Sequence, residues 1–92
     1  MEAKIYHPNG EIEDVLPKNG KHFTLEEMQA IVGGYIEIVR LPANLLMILN
    51  EEGKLQKLAY NPHADAIFKN HFHINNNYIV GNVLICSKIY VT

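Results

Sequence analysis

Tyr35-Ile36-Glu37-Ile38-Val39-Arg40-Leu41, a Pro42-Ala43-Asn44 break, and Leu45-Leu46-Met47-Ile48-Leu49 are the stretch around which the rest of the chain is organised. Both runs are rich in β-branched or aliphatic residues, so they read as two strands joined by a short connection. The second run has no polar residue at either parity, so both of its faces need apolar cover.

Downstream, Asn50-Glu51-Glu52-Gly53 suits a type I turn with glycine in the left-handed position, returning the chain as a hairpin. Lys54 to Tyr60 sets Leu55 and Leu58 among lysine and glutamine, as a half-exposed strand does. Asn61-Pro62 starts a helix: asparagine caps it, and proline occupies the first turn, where its missing N–H costs nothing. Ala64, Ile67 and Phe68, with His71 or Phe72, form its apolar face. Asn75-Asn76-Asn77 reads as a loop and Tyr78 to Cys86 as a strand, with Gly81 marking a bulge or a close backbone approach. Ile89-Tyr90-Val91 adds a short final strand.

Upstream, Ala3 to His7 and Glu11 to Leu16 flank Pro8-Asn9-Gly10, and Asn-Gly is a hairpin signal of type I′. Glu11, Glu13 and Asp14 belong to a solvated edge or to the turn. A helix follows with a well-specified start. Thr24 is its N-cap, Glu27 completes a capping box, and Phe23 with Met28 forms a hydrophobic staple. Leu25, Met28, Ile31 and Val32 share one face, and Gly33-Gly34 ends the helix. The expected fold is α+β, a single domain over residues 1–92. It has an antiparallel or mixed sheet of about five to six strands with two short helices on one face, in the order ββαβββαβ.

Composition bounds the function. Ninety-two residues make one domain, and a hydrophobic share of 48% argues against disorder. A net charge of -2 gives no general attraction to nucleic-acid phosphates or anionic membranes. The single Cys86 cannot form an internal disulfide and suits a reducing compartment. No charged-then-apolar leader opens the chain and no apolar run approaches ~18 residues, so a cytoplasmic location is expected.

Few residues suggest chemistry. His71-x-His73 has the spacing of a metal-ligand pair and His63 lies nearby, but no cysteine pair accompanies them. Cys86 lies in an apolar strand, where a buried, unreactive thiol is the ordinary state. Gly33-Gly34 follows a helix and precedes a strand, the reverse of a phosphate cradle. Glu26 and Glu27 are explained by capping and the helix dipole. The expectation is a protein that is no enzyme and carries no cofactor or metal. The apolar surplus points instead to an interface. With both helices on one side, Ile36, Ile38, Leu46, Ile48, Val83 and Ile85 would supply an uncovered face for a homodimer or a partner.

A resemblance covers residues 24–86. Gly33-Gly34-Tyr35-Ile36-Glu37-Ile38-Val39, Asn50-Glu51-Glu52-Gly53-Lys54-Leu55, Asn61-Pro62 with Ala64, and Ile79-Val80-Gly81-Asn82-Val83-Leu84-Ile85 resemble a small phage and mobile-element family of uncharacterised domains. This chain carries Asn82 where that family has aspartate. The opening Ala-Lys-Ile-Tyr-His-Pro-Asn-Gly hairpin is similar to that of some type II-A anti-CRISPR proteins, which block Cas9. The resemblance implies a counter-defence protein that binds a Cas9-type nuclease, whose nucleic-acid channels are strongly basic. Glu11, Glu13, Asp14, Glu51 and Glu52 would then contact that basic surface. An alternative is a small-molecule sponge for a nucleotide signal, with Tyr35, Tyr60, Asn61 and Tyr78 supplying stacking and hydrogen bonds. A phage regulatory interaction module is a third reading.

Overall fold

The computed structural model describes residues 3–72 and 77–91. The elements are β1 (Ala3–Tyr6), β2 (Ile12–Asp14), α1 (Leu25–Val32), β3 (Ile36–Leu41), β4 (Leu45–Asn50), α2 (Pro62–His71) and β5 (Val83–Ser87). A 3-10 helix, Lys88–Tyr90, follows β5. The strands form one sheet in the order β2-β1-β5-β4-β3, and every neighbouring pair is antiparallel.

The apolar strands β4 and β5 lie side by side, inside the sheet. Met47 and Ile48 are consecutive, so they point to opposite faces, yet neither exposes any surface. Each face therefore has its own core. Leu46, Ile48, Leu84 and Cys86 pack with Met28 and Val32 of α1. Met47, Leu49, Val83 and Ile85 pack with Ala64 and Phe68 of α2. Truncating a fully buried Ile48 or Leu84 to alanine costs about 2–5 kcal/mol. The α+β class, the antiparallel pairing and the two short helices are as expected. Their placement on one face is not: one helix covers each side. Both helices on one side would have left four apolar side chains of β4 and β5 in water.

Local signals explain most boundaries. Thr24 accepts from the Glu27 N–H at 3.1 Å, and Glu27 Oε1 accepts from the Thr24 N–H at 2.8 Å, completing the capping box. Gly33, at φ 82, caps α1 in the left-handed region. Asn61 caps α2, and Pro62 opens its first turn. At the β1–β2 turn only Gly10 is left-handed (φ 94), so the connection is not the expected type I′ turn, which needs two such residues. The paired left-handed residues are instead Ala43 and Asn44, at φ 63 and 59, between β3 and β4.

Three expected strands change. Residues 54–57 form turns rather than a strand, and Tyr60 makes only an isolated bridge to Val80. The Gln56 and Lys57 N–H groups donate to the Glu52 and Lys54 carbonyls, and Lys57 itself is left-handed. Gly53 serves close packing rather than a left-handed backbone, since a Cβ there would lie 2.8 Å from Val80 Cγ2. The strand expected over Tyr78 to Cys86 begins only at Val83. Before it, the Asn61 N–H bonds to the Ile79 carbonyl and the Gly81 N–H to the Ala59 carbonyl, so residues 79–81 pair with 59–61. Ile89 and Tyr90 belong to the 3-10 helix capped by Ser87, not to a strand. The loop expected at Asn75 and Asn76 lies outside the described residues, as does His73.

Candidate functional site

On the α2 face, a groove of about 370 Å³ runs between the end of β4, the 51–58 turn and residues 77–80. Its floor is the buried side of Leu49, Phe68, Ile79 and Val80. Glu37 of β3 and Glu51 and Glu52 of the turn stand on its rim, with Lys54, Leu55 and Tyr78. Leu55 is 81% exposed and Tyr78 46%, which puts apolar surface beside the carboxylates. Lys54 donates to Asn77 Oδ1, and its ammonium lies 4.6 Å from the Tyr78 ring centroid. Among the described residues, three carboxylates against one ammonium make the rim electronegative, which favours cationic groups.

Buried side chains hold this rim. Glu51 is fixed by the sheet ladder, its N–H donating to the Tyr35 carbonyl at 2.9 Å. Asn50 fixes Glu52: its Oδ1 accepts from the Glu52 N–H at 2.8 Å, while its Nδ2 donates to the Val32 carbonyl at 3.1 Å. On the far side, Asp65 Oδ1 accepts from the Ile79 N–H at 3.1 Å, and its Oδ2 accepts from the Tyr60 hydroxyl and from Lys69. Burial pushes the Asp65 carboxyl up, but the bonds from Tyr60, Lys69 and Ile79 outweigh it and hold the group below the usual carboxylate range. Asn61 is wholly buried: it accepts from the Ala64 N–H and donates to the carbonyls of Tyr6 and Gly81, both at 2.8 Å.

The expected contact residues separate into two groups. Glu51 and Glu52 share the groove. Glu11, Glu13 and Asp14 sit at the β2 edge, with β1 and β5 between them and β4, a width of about 14 Å. Glu13 lies 3.0 Å from His7 Nε2 and Asp14 lies 2.9 Å from Lys4 Nζ, so these acids are occupied within the hairpin. Asn82 Oδ1 lies 3.2 Å from the other His7 ring nitrogen.

The expected apolar face also divides. Ile36, Ile38, Leu46 and Ile48 lie on the α1 side, Val83 and Ile85 on the α2 side. Leu46, Ile48, Val83 and Ile85 are buried in the fold's own cores, and of the six only Ile38 is exposed, at 44%. The bare apolar sheet face is therefore absent, because α2 covers what α1 leaves.

Of the tyrosines considered for a ligand, Tyr78 lines the groove and Tyr60 lies near it, its ring tilted 57° to that of Tyr78 with centroids 6.5 Å apart. Tyr35 borders a separate, shallower depression with Gln29 and Gln56, and Asn61 is an internal strut. Cys86 is buried, and burial pushes its thiol up to about 11, which removes it as a nucleophile at neutral pH. His71 is exposed, and His63 meets the Tyr6 ring edge-on at 4.9 Å. Among the described residues no three His, Cys, Asp or Glu side chains converge as metal ligands. Sequence reasoning missed Glu37 and Phe68 as groove residues, since nothing local places a strand residue beside a turn fifteen positions on. Asp65 could have been found from Lys69 four residues later on the same helix.

The model of a domain of unknown function, DUF3846, matches residues 3–90. The chain belongs to that family. The expected membership of a family of uncharacterised domains holds, over residues 3–90 rather than 24–86. No curated protein and no solved structure matches it. Among the described residues no helix is long and apolar enough to cross a membrane.

Proposed function

We propose that this DUF3846 domain works by binding, as a non-enzymatic counter-defence protein that inhibits a Cas9-type nuclease. The acid-rimmed groove carries this reading: Glu37, Glu51 and Glu52 stand around an apolar floor, with exposed Leu55 and Tyr78 beside them. A nuclease of this type holds nucleic acid in strongly basic channels, so a lysine or arginine of the channel finds both carboxylates and apolar cover for its stem. The opening hairpin's resemblance to anti-CRISPR proteins supports the choice of partner. In this reading Glu11, Glu13 and Asp14 contribute through the long-range field only, because Glu13 and Asp14 already have partners.

The test is a pull-down of Cas9 with and without guide RNA, followed by a DNA-cleavage assay of the guide-loaded nuclease. The wild-type domain in molar excess is expected to suppress cleavage, with association weakening as salt rises. Glu51→Lys with Glu52→Lys is expected to lower the association rate at least tenfold. Undiminished cleavage with the wild type sinks the partner; unchanged inhibition by the double variant sinks the groove.

A second reading has its own observation. A cavity of about 370 Å³ beside Tyr78 and Lys54 falls in the small-ligand range. Three rim carboxylates repel phosphates, so a nucleotide signal fits less well than a basic side chain. Thermal shifts with cyclic nucleotides separate the two: several kcal/mol of stabilisation at saturation belongs to this reading alone.

A further inference from the structure

The two edges of the sheet differ. At β2, the edge is three residues long and carries Glu13 and Asp14. Short length and charge are the usual guards against strand pairing. At β3, six residues run unbroken, Ile36-Glu37-Ile38-Val39-Arg40-Leu41, with no proline inside.

The ladder fixes which β3 backbone groups face outward. The Glu51 N–H donates to the Tyr35 carbonyl, and Tyr35 opposes Glu51 in the same register as Glu37 and Leu49. Hydrogen-bonded pairs alternate along an antiparallel ladder, so Tyr35, Glu37, Val39 and Leu41 turn their backbone groups to β4. Ile36, Ile38 and Arg40 turn theirs away from the sheet. These outward residues are symmetric about Ile38.

We propose that β3 pairs antiparallel with β3 of a second copy of this chain, about a two-fold axis at Ile38. Under that axis Ile36 meets the partner's Arg40, Ile38 meets the partner's Ile38, and Arg40 meets the partner's Ile36. Every outward N–H and C=O then finds its complement. Each strand carries one acid, Glu37, and one base, Arg40, so the two approach without net repulsion. The exposed Ile38 side chain gains cover from its own copy. A groove of about 380 Å³ flanks it, with Leu41, Leu46 and Val91 in its lining. The guarded β2 edge stops further addition, so two five-stranded sheets join into one of ten strands and close as a dimer. Glu37 of β3 also stands on the acid-rimmed groove, so the second copy lies beside that groove.

Sedimentation velocity across micromolar to submillimolar concentrations tests the pairing. The mass is expected to rise to about twice 10.5 kDa. Hydrogen exchange at Ile36, Ile38 and Arg40 amides is expected to slow at least tenfold over the same range. Ile38→Lys, at an exposed site, should return the mass to one chain with an unchanged circular dichroism spectrum. Ile38→Cys should form a disulfide-linked dimer under mild oxidation, while Ile12→Cys on the guarded edge should not. A single-chain mass at the highest concentration overturns the proposal. So does a dimer that survives Ile38→Lys, or equal cross-linking at both edges.

Discussion

Thr24 caps α1 within reach of its own chain: it bonds Glu27, three residues on, and both lie in contact with water. Asn61 caps α2 with the same bond to Ala64, but it is wholly buried and also holds the carbonyls of Tyr6 and Gly81. One cap sets a helix boundary; the other fastens a helix, a strand end and a turn into one unit. The same residue signal thus carries very different energies, according to what surrounds it. Water can replace a bond at an exposed cap, whereas a buried polar group that loses its partner keeps its full desolvation cost.

The largest effect is expected at Asn61. Asn61→Ala loses the cap and the bonds to the Tyr6 and Gly81 carbonyls, for a cost of about 3 kcal/mol by denaturant unfolding. A loss near that of an exposed cap would break the comparison.

Asp65→Asn sharpens it on the same helix, with an expected loss of about 1–2 kcal/mol at neutral pH as charge-assisted bonds weaken. The Asp65 carboxyl is held below its ordinary value in the fold, so its contribution is present above the unfolded value of about 3.9. It is lost as pH falls through the lower folded value, because the unfolded chain takes up the proton first. The wild type is therefore expected to lose stability more steeply than Asp65→Asn below about pH 4 in acid-unfolding curves.

Thr24→Ala should be the mildest, about 1 kcal/mol by thermal unfolding, since only an exposed cap goes. Glu27 adds a check. The Thr24 and Lys18 N–H groups hold its carboxylate below the usual range, so acid protonation should weaken the same helix start.

Much of the fold was legible. Thr24 with Glu27, Gly33, and Asn61-Pro62 mark helix ends through bonds that span only a few residues, so local sequence contains the whole cause. Leu45 to Leu49 declared that both faces of its strand need cover, and both are covered. Which helix covers which face was not legible, because that depends on Phe68 meeting Met47 and Val83 across the fold. The strand expected at 54–60 failed for a related reason: Leu58 packs against Gly81 and Gly53, which a periodicity reading cannot see. The acids at β2 and at the 51–58 turn looked alike in sequence, yet only Glu51 and Glu52 share a groove.

By itself the sequence determined the two strands on either side of Pro42-Ala43-Asn44 to within a residue, both helix starts, the α+β class and the inert burial of Cys86. Tertiary structure alone decided that one helix roofs each face, that Asn61 and Asp65 became internal struts, and that Glu37 joined Glu51 and Glu52 around one cavity. The division follows from range. Hydrogen bonds between near neighbours are written in consecutive residues, whereas the pairing of distant surfaces is settled by which arrangement leaves the least apolar area wet.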